Sequence, residues 1–340
     1  MIPAKAMGGV MPAEPAAEAI RGSVWDAWRG DDPFVAAWAN ARSALAAVLR
    51  GRRRAWLPAY VCEAVAQAAA AAGAEIGWYP VGFSLEPDLA SLEHGITAGD
   101  AVVIVDYFGR ADPAWRGLVA VRPDVRFIED RAQALDTGAA PLAETATYSP
   151  RKLLGVGDGG IAVSRHPLPT PTEAADDRLW EPHDARAADR EGLAPAQWRG
   201  LFLAAEAGMR PTGAAITDRT VAALRGTAVQ PIADRRRSNW RLLAAALADW
   251  ALWRDAEPEF APLAFPIVAD DASVAAAALA EARIWAPRHW AELPAGTERF
   301  DEAHRLAEAC VSLPLDQRYG PEDMERIVDT VRERVRPYRR

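Results

Sequence analysis

Cysteine is scarce in this chain. Cys62 and Cys310 are the only two in 340 residues, so neither a disulfide framework nor a cysteine-rich zinc site can be built from them. Histidine is sparse as well: the five are scattered, with no H-E-x-x-H pair to seat a metal on one helix face, and no metal is expected. Positive charge is in deficit, 39 Lys and Arg against 47 Asp and Glu for a net −8. That balance lacks the electrostatic footprint for nucleic acid or an anionic membrane. The triplets Arg52-Arg53-Arg54 and Arg235-Arg236-Arg237 read as solvated turn or helix faces in an acidic whole. No apolar run reaches the roughly 18 residues of a membrane-spanning helix. Residues 1–19 mix Pro, Glu and Lys and have no apolar stretch like that of a signal peptide. The expectation is a cytoplasmic protein whose partners are small molecules rather than nucleic acid or membrane.

What is present is ordinary globular composition, half hydrophobic and a quarter charged, at a length suited to two structural domains. The Ala runs at 68–72 and 275–278 sit in amphipathic stretches and read as helix, for which Ala has the best propensity. Residues 1–33, rich in Gly, Pro and Ala, read as an arm with one short helix. Apolar residues Trp38, Leu45, Val48 and Leu49 then fall at helical spacing, which predicts a helix over 34–49 ended by Gly51. Strands are predicted at 55–57, 75–79, 101–106, 125–128, 145–148 and 160–164. Helices fall between several of them, as at 61–72 and 113–121. Val102-Val103-Ile104-Val105 is apolar on both faces, as in a strand buried between helix layers. Strands alternating with helices imply an α/β protein with a mainly parallel, doubly wound sheet. Residues 166–200 are polar and Pro-rich, a surface or lid segment. Helices at 232–253, 272–282 and 322–335 and a strand at 264–268 suggest a smaller α+β domain. The organisation is an arm over 1–33, a large domain over 34–230 and a small one over 231–340.

The chemistry concentrates in Thr147-Tyr148-Ser149-Pro150-Arg151-Lys152 and the glycine-rich turn after it. Gly155, Gly157 and Gly160 satisfy G-x-G-x-x-G. A dinucleotide site, however, needs a helix opening at that turn, and here the glycines run into another strand. The other reading makes Lys152 a Schiff-base lysine for pyridoxal 5′-phosphate (PLP). PLP needs an amine, an acid for its pyridinium nitrogen and donors for its phosphate. Asp130 follows an apolar strand and so lies at the carboxyl edge of a parallel sheet, where such folds bind ligands. A carboxylate there keeps the ring nitrogen protonated. Taken alone, an Asp at a strand end caps a helix; its pairing with Lys152 favours the cofactor.

These segments resemble the DegT/DnrJ/EryC1/StrS aminotransferases, a branch of the fold-type I PLP enzymes. The resemblance covers about 36–164 and 232–335. It rests on Asn40-Ala41-Arg42-Ser43-Ala44-Leu45, Leu57-Pro58-Ala59-Tyr60-Val61-Cys62, Asp106-Tyr107-Phe108-Gly109, Glu129-Asp130-Arg131-Ala132-Gln133-Ala134 and 148–160, in family order. Pro287-Arg288-His289-Trp290 and Leu313-Pro314-Leu315-Asp316 match landmarks nearer the C-terminus. The resemblance implies that the helix proper begins near Ser43, with the amides of Ser43 and Ala44 cradling the phosphate. It implies Lys152 and Asp130 as catalytic residues, Gln133 near the ring oxygen, and Thr147 and Ser149 as phosphate donors. Cys62, or Tyr60 two residues earlier, covers the ring, where the family often has an aromatic residue. Asp158 stands where the family has Glu. The chain departs from the family in lacking an Asn-x-Arg motif for the neighbouring subunit's phosphate: its only asparagines are Asn40 and Asn239. Arg210 and Arg219 are the candidates to replace it.

The activity implied is amino transfer from glutamate to a keto sugar linked to a nucleotide, by a homodimer for which the apolar residues of 327–335 offer a packing face. The alternatives are a PLP enzyme acting on a non-sugar carbonyl compound and a catalytically retired PLP-binding homologue. Lys152 and Asp130 argue against retirement, and Lys152 argues against the family's dehydratase branch, which lacks the lysine.

Overall fold

The computed structural model describes residues 5–15, 17–136, 138–189, 194–254 and 258–339; the expectations for 1–4, 16 and 190–193 fall outside them. In the arm, Met7–Gly8 (β1) is followed by the helix Val24–Arg29. Seven strands then build one sheet: β2 (Phe34–Trp38), β3 (Arg54–Pro58), β4 (Glu75–Tyr79), β5 (Ala101–Val105), β6 (Arg126–Asp130), β7 (Thr145–Tyr148) and β8 (Gly160–Ser164). Across the sheet the order is β4-β3-β5-β6-β7-β8-β2, and β8 alone runs against the rest. All six predicted strands are present, and the sheet is mainly parallel as expected. Each residue of β5 is buried, which is why its sequence is apolar on both faces.

The helix predicted over 34–49 is two elements. Residues 34–38 form β2, paired with β8 from Phe34 opposite Ser164 to Trp38 opposite Gly160. The helix itself is Ala41–Leu49, and the Asn40 side chain caps it by accepting from the Ser43 amide. Trp38 mimicked helical spacing only because a strand and a helix abut there.

The second part of the chain supplies β9 (Phe265–Val268), β10 (Ile284–Trp285) and β11 (Cys310–Leu313). β9 pairs antiparallel with β11, and β10 pairs in parallel with β1. The helix expected over 232–253 spans Val229–Ala246. It stops because the following residues run alongside β9: the Leu252 amide donates to the Pro266 carbonyl at 3.1 Å, and Ala251 bridges Ile267. Among its described residues, the segment 166–200 contains the helix Glu181–Ala188 and the start of Pro195–Gly208, not polar loop alone.

Two readings of surface residues are overturned. Arg236, taken as part of a solvated face, is fully buried. It donates to the carbonyls of Pro262 and Leu263 at 3.0 Å and of Leu153 at 3.2 Å, tying the long helix to the turn after Lys152. The apolar face of the C-terminal helix Pro321–Arg334 is not free for a partner, because Ile327, Val328 and Val331 pack into a core with Trp240, Phe265 and Leu313. Among the described residues, no helix is long and apolar enough to cross a membrane.

The glycines of the G-x-G-x-x-G pattern serve chain crossings. A Cβ on Gly155 would stand 1.7 Å from the Pro12 carbonyl oxygen, one on Gly157 2.6 Å from the Trp180 nitrogen, and one on Gly160 2.1 Å from the Asn40 carbonyl oxygen. Gly160 meets only backbone at that crossing, so nothing flexible can yield. Gly160→Ala is therefore expected to destabilise the protein by about 1–3 kcal/mol, the usual range for overpacking. The denaturant midpoint should fall with the slope unchanged; an unaltered midpoint would show slack in the crossing.

Candidate active site

The register of the sheet sets the site. Val105 pairs with Asp130, and Asp130 with Thr147, so three strand ends meet at the carboxyl edge. Beyond β7 the chain turns through a 3₁₀ helix, Pro150–Lys152. A cavity of about 720 Å³ opens there, lined among others by Asp130, Thr147, Ser149 and Lys152.

Asp130 is buried, and no helix follows it: residues 131–134 form a turn. Its Oδ1 accepts from the Ala132 amide at 3.0 Å. Burial pushes its carboxyl above the ordinary carboxylate range, while the Lys152 charge and the Ala132 amide act in the opposite sense. Behind it the Arg131 guanidinium lies 2.9 Å from Glu129 and 3.3 Å from Asp106. That buried cluster fixes the end of β6. Gln133 also lines the cavity, and its Oε1 accepts from the Phe108 amide at 2.6 Å.

Three expected contacts do not face the cavity. The Ser43 amide donates to Asn40 Oδ1 at 2.9 Å, and its hydroxyl accepts from the Thr212 amide at 2.9 Å. The Ala44 amide donates to the Asn40 carbonyl at 3.2 Å. The helix start reaches the cavity through Asn40, Ala41 and Arg42 instead. An Asn at the N-cap was the available signal, since its side chain takes an amide of the first turn. Tyr60 is fully buried and packs on Trp290 at 5.4 Å, its hydroxyl bonded to the His289 carbonyl. Cys62, by contrast, lines the cavity. Asp158 is a structural anchor: it accepts from the Thr217 amide at 2.6 Å and hydroxyl at 2.9 Å, at the start of the helix Asp218–Gly226.

The structure adds residues that the sequence did not single out. Arg151 Nη2 lies 2.6 Å from Glu206 on the helix Pro195–Gly208, and Arg42 Nη2 lies 3.6 Å from the same carboxylate. Burial works against the Glu206 charge, yet Arg151, with Arg42 and Lys152, holds its carboxyl below the ordinary range. His183 is 2 % exposed and lines the cavity with Nδ1 2.9 Å from the Met11 carbonyl. A carbonyl only accepts, so Nδ1 carries the proton and Nε2 presents its lone pair; Nε2 has no partner. His289, with Nδ1 2.7 Å from Ser312 Oγ, also lines the cavity.

A model of the DegT/DnrJ/EryC1/StrS aminotransferase family matches residues 33–332. The chain belongs to that family. It is a PLP-dependent aminotransferase of fold type I. Among solved structures it is similar to a DegT DnrJ EryC1 StrS aminotransferase from Brucella abortus, with 19% identity, 91% of this chain and 87% of that chain covered, and a TM-score of 0.65. The PLP form of a putative sugar aminotransferase from Streptococcus pneumoniae is 15% identical over 95% of this chain and 92% of that one, with a TM-score of 0.67. DesI, solved in the presence of its TDP-sugar product, is 17% identical over 97% and 94%, with a TM-score of 0.66. At these identities the likeness is one of fold. No curated protein sequence matches the chain.

The residues present fit PLP. One cavity offers the amine of Lys152, the buried carboxylate of Asp130 and the hydroxyls of Thr147 and Ser149. Arg42 and Arg151 line it as well, and a guanidinium group suits a phosphate.

The two cavity histidines make acid stability a test of this geometry. Burial pushes the His183 pKa down to about 4. Burial and the Lys152 charge push the His289 pKa down to about 3. Each folded value lies below the ordinary 6.5, so between these values the unfolded chain binds more protons and stability falls as pH drops. Each histidine should contribute a slope of about 1.4 kcal/mol per pH unit. Urea midpoints of the apoprotein from pH 6.5 to 4 should therefore flatten in His183→Gln, and further in His183→Gln with His289→Gln. Equal slopes in all three proteins would place these rings in water.

Proposed function

We propose that the enzyme is a cytoplasmic homodimer that moves an amino group from glutamate to the keto group of a nucleotide-linked sugar. Lys152 is the attachment point of the cofactor and Asp130 the partner of its ring nitrogen. The observation that carries this reading is that a single cavity contains both side chains, close enough that the Lys152 charge acts on the Asp130 carboxyl.

Bound in this cavity, PLP supplies an electrophilic carbon for amines and a cationic ring that withdraws electrons. Lys152 Nζ holds the cofactor and, once freed by the donor amine, moves the proton between the donor α-carbon and cofactor C4′. Asp130, as a carboxylate, keeps the ring nitrogen protonated, because an opposite charge favours the charged form. Gln133, whose Oε1 accepts from the Phe108 amide, would hold the ring oxygen, and Cys62, which lines the same cavity, would cover part of the ring.

The acceptor reading is supported by the fold, which is also that of DesI, solved in the presence of its TDP-sugar product. The dimer is supported by Leu203, which lines the cavity yet is 53% exposed; an apolar residue at the rim suits cover by a second subunit. Sedimentation of the PLP-bound protein at micromolar concentration should give a dimer, and a monomer would remove that part of the reading.

The attachment has a simple test, because the chain's other lysine, Lys5, is exposed and paired with Asp323 at 3.0 Å. Protein loaded with PLP should absorb in the visible, and borohydride should fix the label on the Lys152 peptide; label on Lys5, or none, would sink the assignment. For Asp130→Asn, cofactor attachment should persist while half-transamination with glutamate slows by about 10²–10³-fold, the loss typical of one preorganised electrostatic partner. Conversion at the wild-type rate would leave Asp130 only its turn-capping bond. For the acceptor, the pyridoxamine-phosphate form should aminate a TDP-linked keto sugar faster than the free keto sugar.

A further inference from the structure

We propose that Asp106 holds a proton that it shares with Glu129, and that it thereby leaves Asp130 a carboxylate. Asp106 is then a positioning residue that acts through Asp130; this second half rests on the role given to Asp130 above.

Glu129 precedes Asp130 in β6 and so points to the opposite face of the sheet from it. There one guanidinium serves two acids: Arg131 Nη2 lies 2.9 Å from Glu129 and Nε 3.3 Å from Asp106. Asp106 is 1% exposed and Glu129 fully buried, so water supplies neither with donors. Glu129 is well provided within the protein. Its Oε1 accepts from Arg131 Nε at 3.2 Å and Nη2 at 2.9 Å, and its Oε2 from the amides of Leu142 at 2.7 Å and Ala143 at 3.3 Å. Asp130 has the Ala132 amide at 3.0 Å and the Lys152 charge. Asp106 has nothing comparable. Among the described residues neither of its oxygens takes a hydrogen bond, because Arg131 Nε donates to Glu129 and the other two nitrogens to Glu129 and the Ala139 carbonyl. An ionised Asp106 would be a buried charge without a single donor. A protonated Asp106 carries its own donor and finds the Glu129 carboxyl within hydrogen-bonding reach.

The charges count to the same result. Three carboxyls, Asp106, Glu129 and Asp130, stand against two cations, Arg131 and Lys152. One negative charge is in excess, and one bound proton removes it. The carboxyl with the fewest donors takes that proton. Burial, with the Glu129 charge, pushes the Asp106 carboxyl well above the ordinary range against the pull of Arg131. The ionisable groups that act on it are Glu129, Arg131 and Asp130, and Tyr148 on β7 feels its charge in turn. Asp106 and Asp130 leave adjacent strand ends, the Asp106 amide donating to the Asp130 carbonyl at 3.1 Å. A second negative charge there would disfavour ionisation of Asp130. Held neutral, Asp106 leaves Asp130 the charge that the ring nitrogen requires.

Infrared difference spectra of the apoprotein at neutral pH read the proton directly. Asp106→Asn should lose one C=O stretch of an un-ionised carboxylic acid. Glu129→Gln should lose one as well, and the double variant no more than one, because the two carboxyls share a single proton. No band lost in either variant overturns the proposal, and so do two bands lost in the double variant. Stability gives a second reading. A carboxyl whose folded value is raised stabilises the fold at low pH, and that effect is lost as pH rises towards the folded value. The unfolding equilibrium constant of the wild type relative to Asp106→Asn should therefore rise about tenfold per pH unit from about pH 5 to 7, since groups common to both proteins cancel. A flat ratio would mean that Asp106 is ionised in the fold, against the proposal. Should Asp106→Asn not fold, Glu129→Gln carries both measurements, with the same loss and the same slope expected. The effect on Asp130 is read in the acid limb of half-transamination with glutamate. Asp106 is neutral in the wild type and the Asn variant alike, so the limb should stay at its wild-type pH. A limb moved to lower pH would mean that a charge had been removed beside Asp130, and sinks the proposal. Should Asp130→Asn convert glutamate at the wild-type rate, the role of Asp130 falls, while the band and the slope still decide where the proton lies.

Discussion

The parallel register that sets Asp130 between Val105 and Thr147 is the constraint on which the site depends. Because one residue of slip would turn every side chain to the other face, it fixes which carboxylate faces the cavity. Glu129 and Asp130 are neighbours of the same chemistry with opposite fates. Glu129 points away from the cavity, where its carboxylate takes the Arg131 guanidinium and the Leu142 amide. Asp130 lines the cavity. The antiparallel return of β8 completes the arrangement. It forces a tight turn after Lys152, and the glycines of that turn let the arm, residues 179–180 and Asn40 pass within contact distance.

The cavity lining carries charge of both signs: Asp130, Lys152, Arg42 and Arg151, with Glu206 facing both guanidiniums, one through each oxygen. One carboxylate against two guanidiniums leaves that group incompletely neutralised. Arg236 is the converse case. It is buried in full, but its nitrogens find three carbonyls and Gln317, so its charge is satisfied locally and serves packing between the long helix and the Lys152 turn.

Much of the fold was legible in the sequence because buried parallel strands announce themselves as short apolar runs. Where elements abut without a polar break the reading failed, as at Trp38, whose strand runs into a capped helix. The site divides in the same way. Lys152 and Asp130 could be singled out because one ends a strand and the other stands just past one, and the structure brings both to one cavity. Asp130 could be told from a helix cap only by its pairing with Lys152, and the structure shows that no helix follows it. Ser43 and Ala44 were misplaced because the cap geometry of Asn40, not the spacing alone, decides which amides remain free. Tyr60 was misplaced because its hydroxyl finds the His289 carbonyl, which turns the ring into the core. His183, His289, Arg42 and Glu206 come from segments far apart in the chain, so no local pattern could join them.

The arm shows how a segment with little regular structure becomes part of such a site. Met7 and Gly8 pair with Ile284 and Trp285, and the Glu14 amide donates to the Gly155 carbonyl at 2.7 Å. The stretch between is thereby stretched along the cavity, where Gly8, Gly9, Val10 and Met11 line the wall. A side chain at Gly8 would meet the Trp285 carbonyl oxygen at 2.2 Å, so the arm lies this close only because its residue there is glycine. The consequence reaches the chemistry through Met11. Its carbonyl selects the tautomer of His183, so backbone some 170 residues away in sequence decides that Nδ1 carries the proton and the buried Nε2 the lone pair.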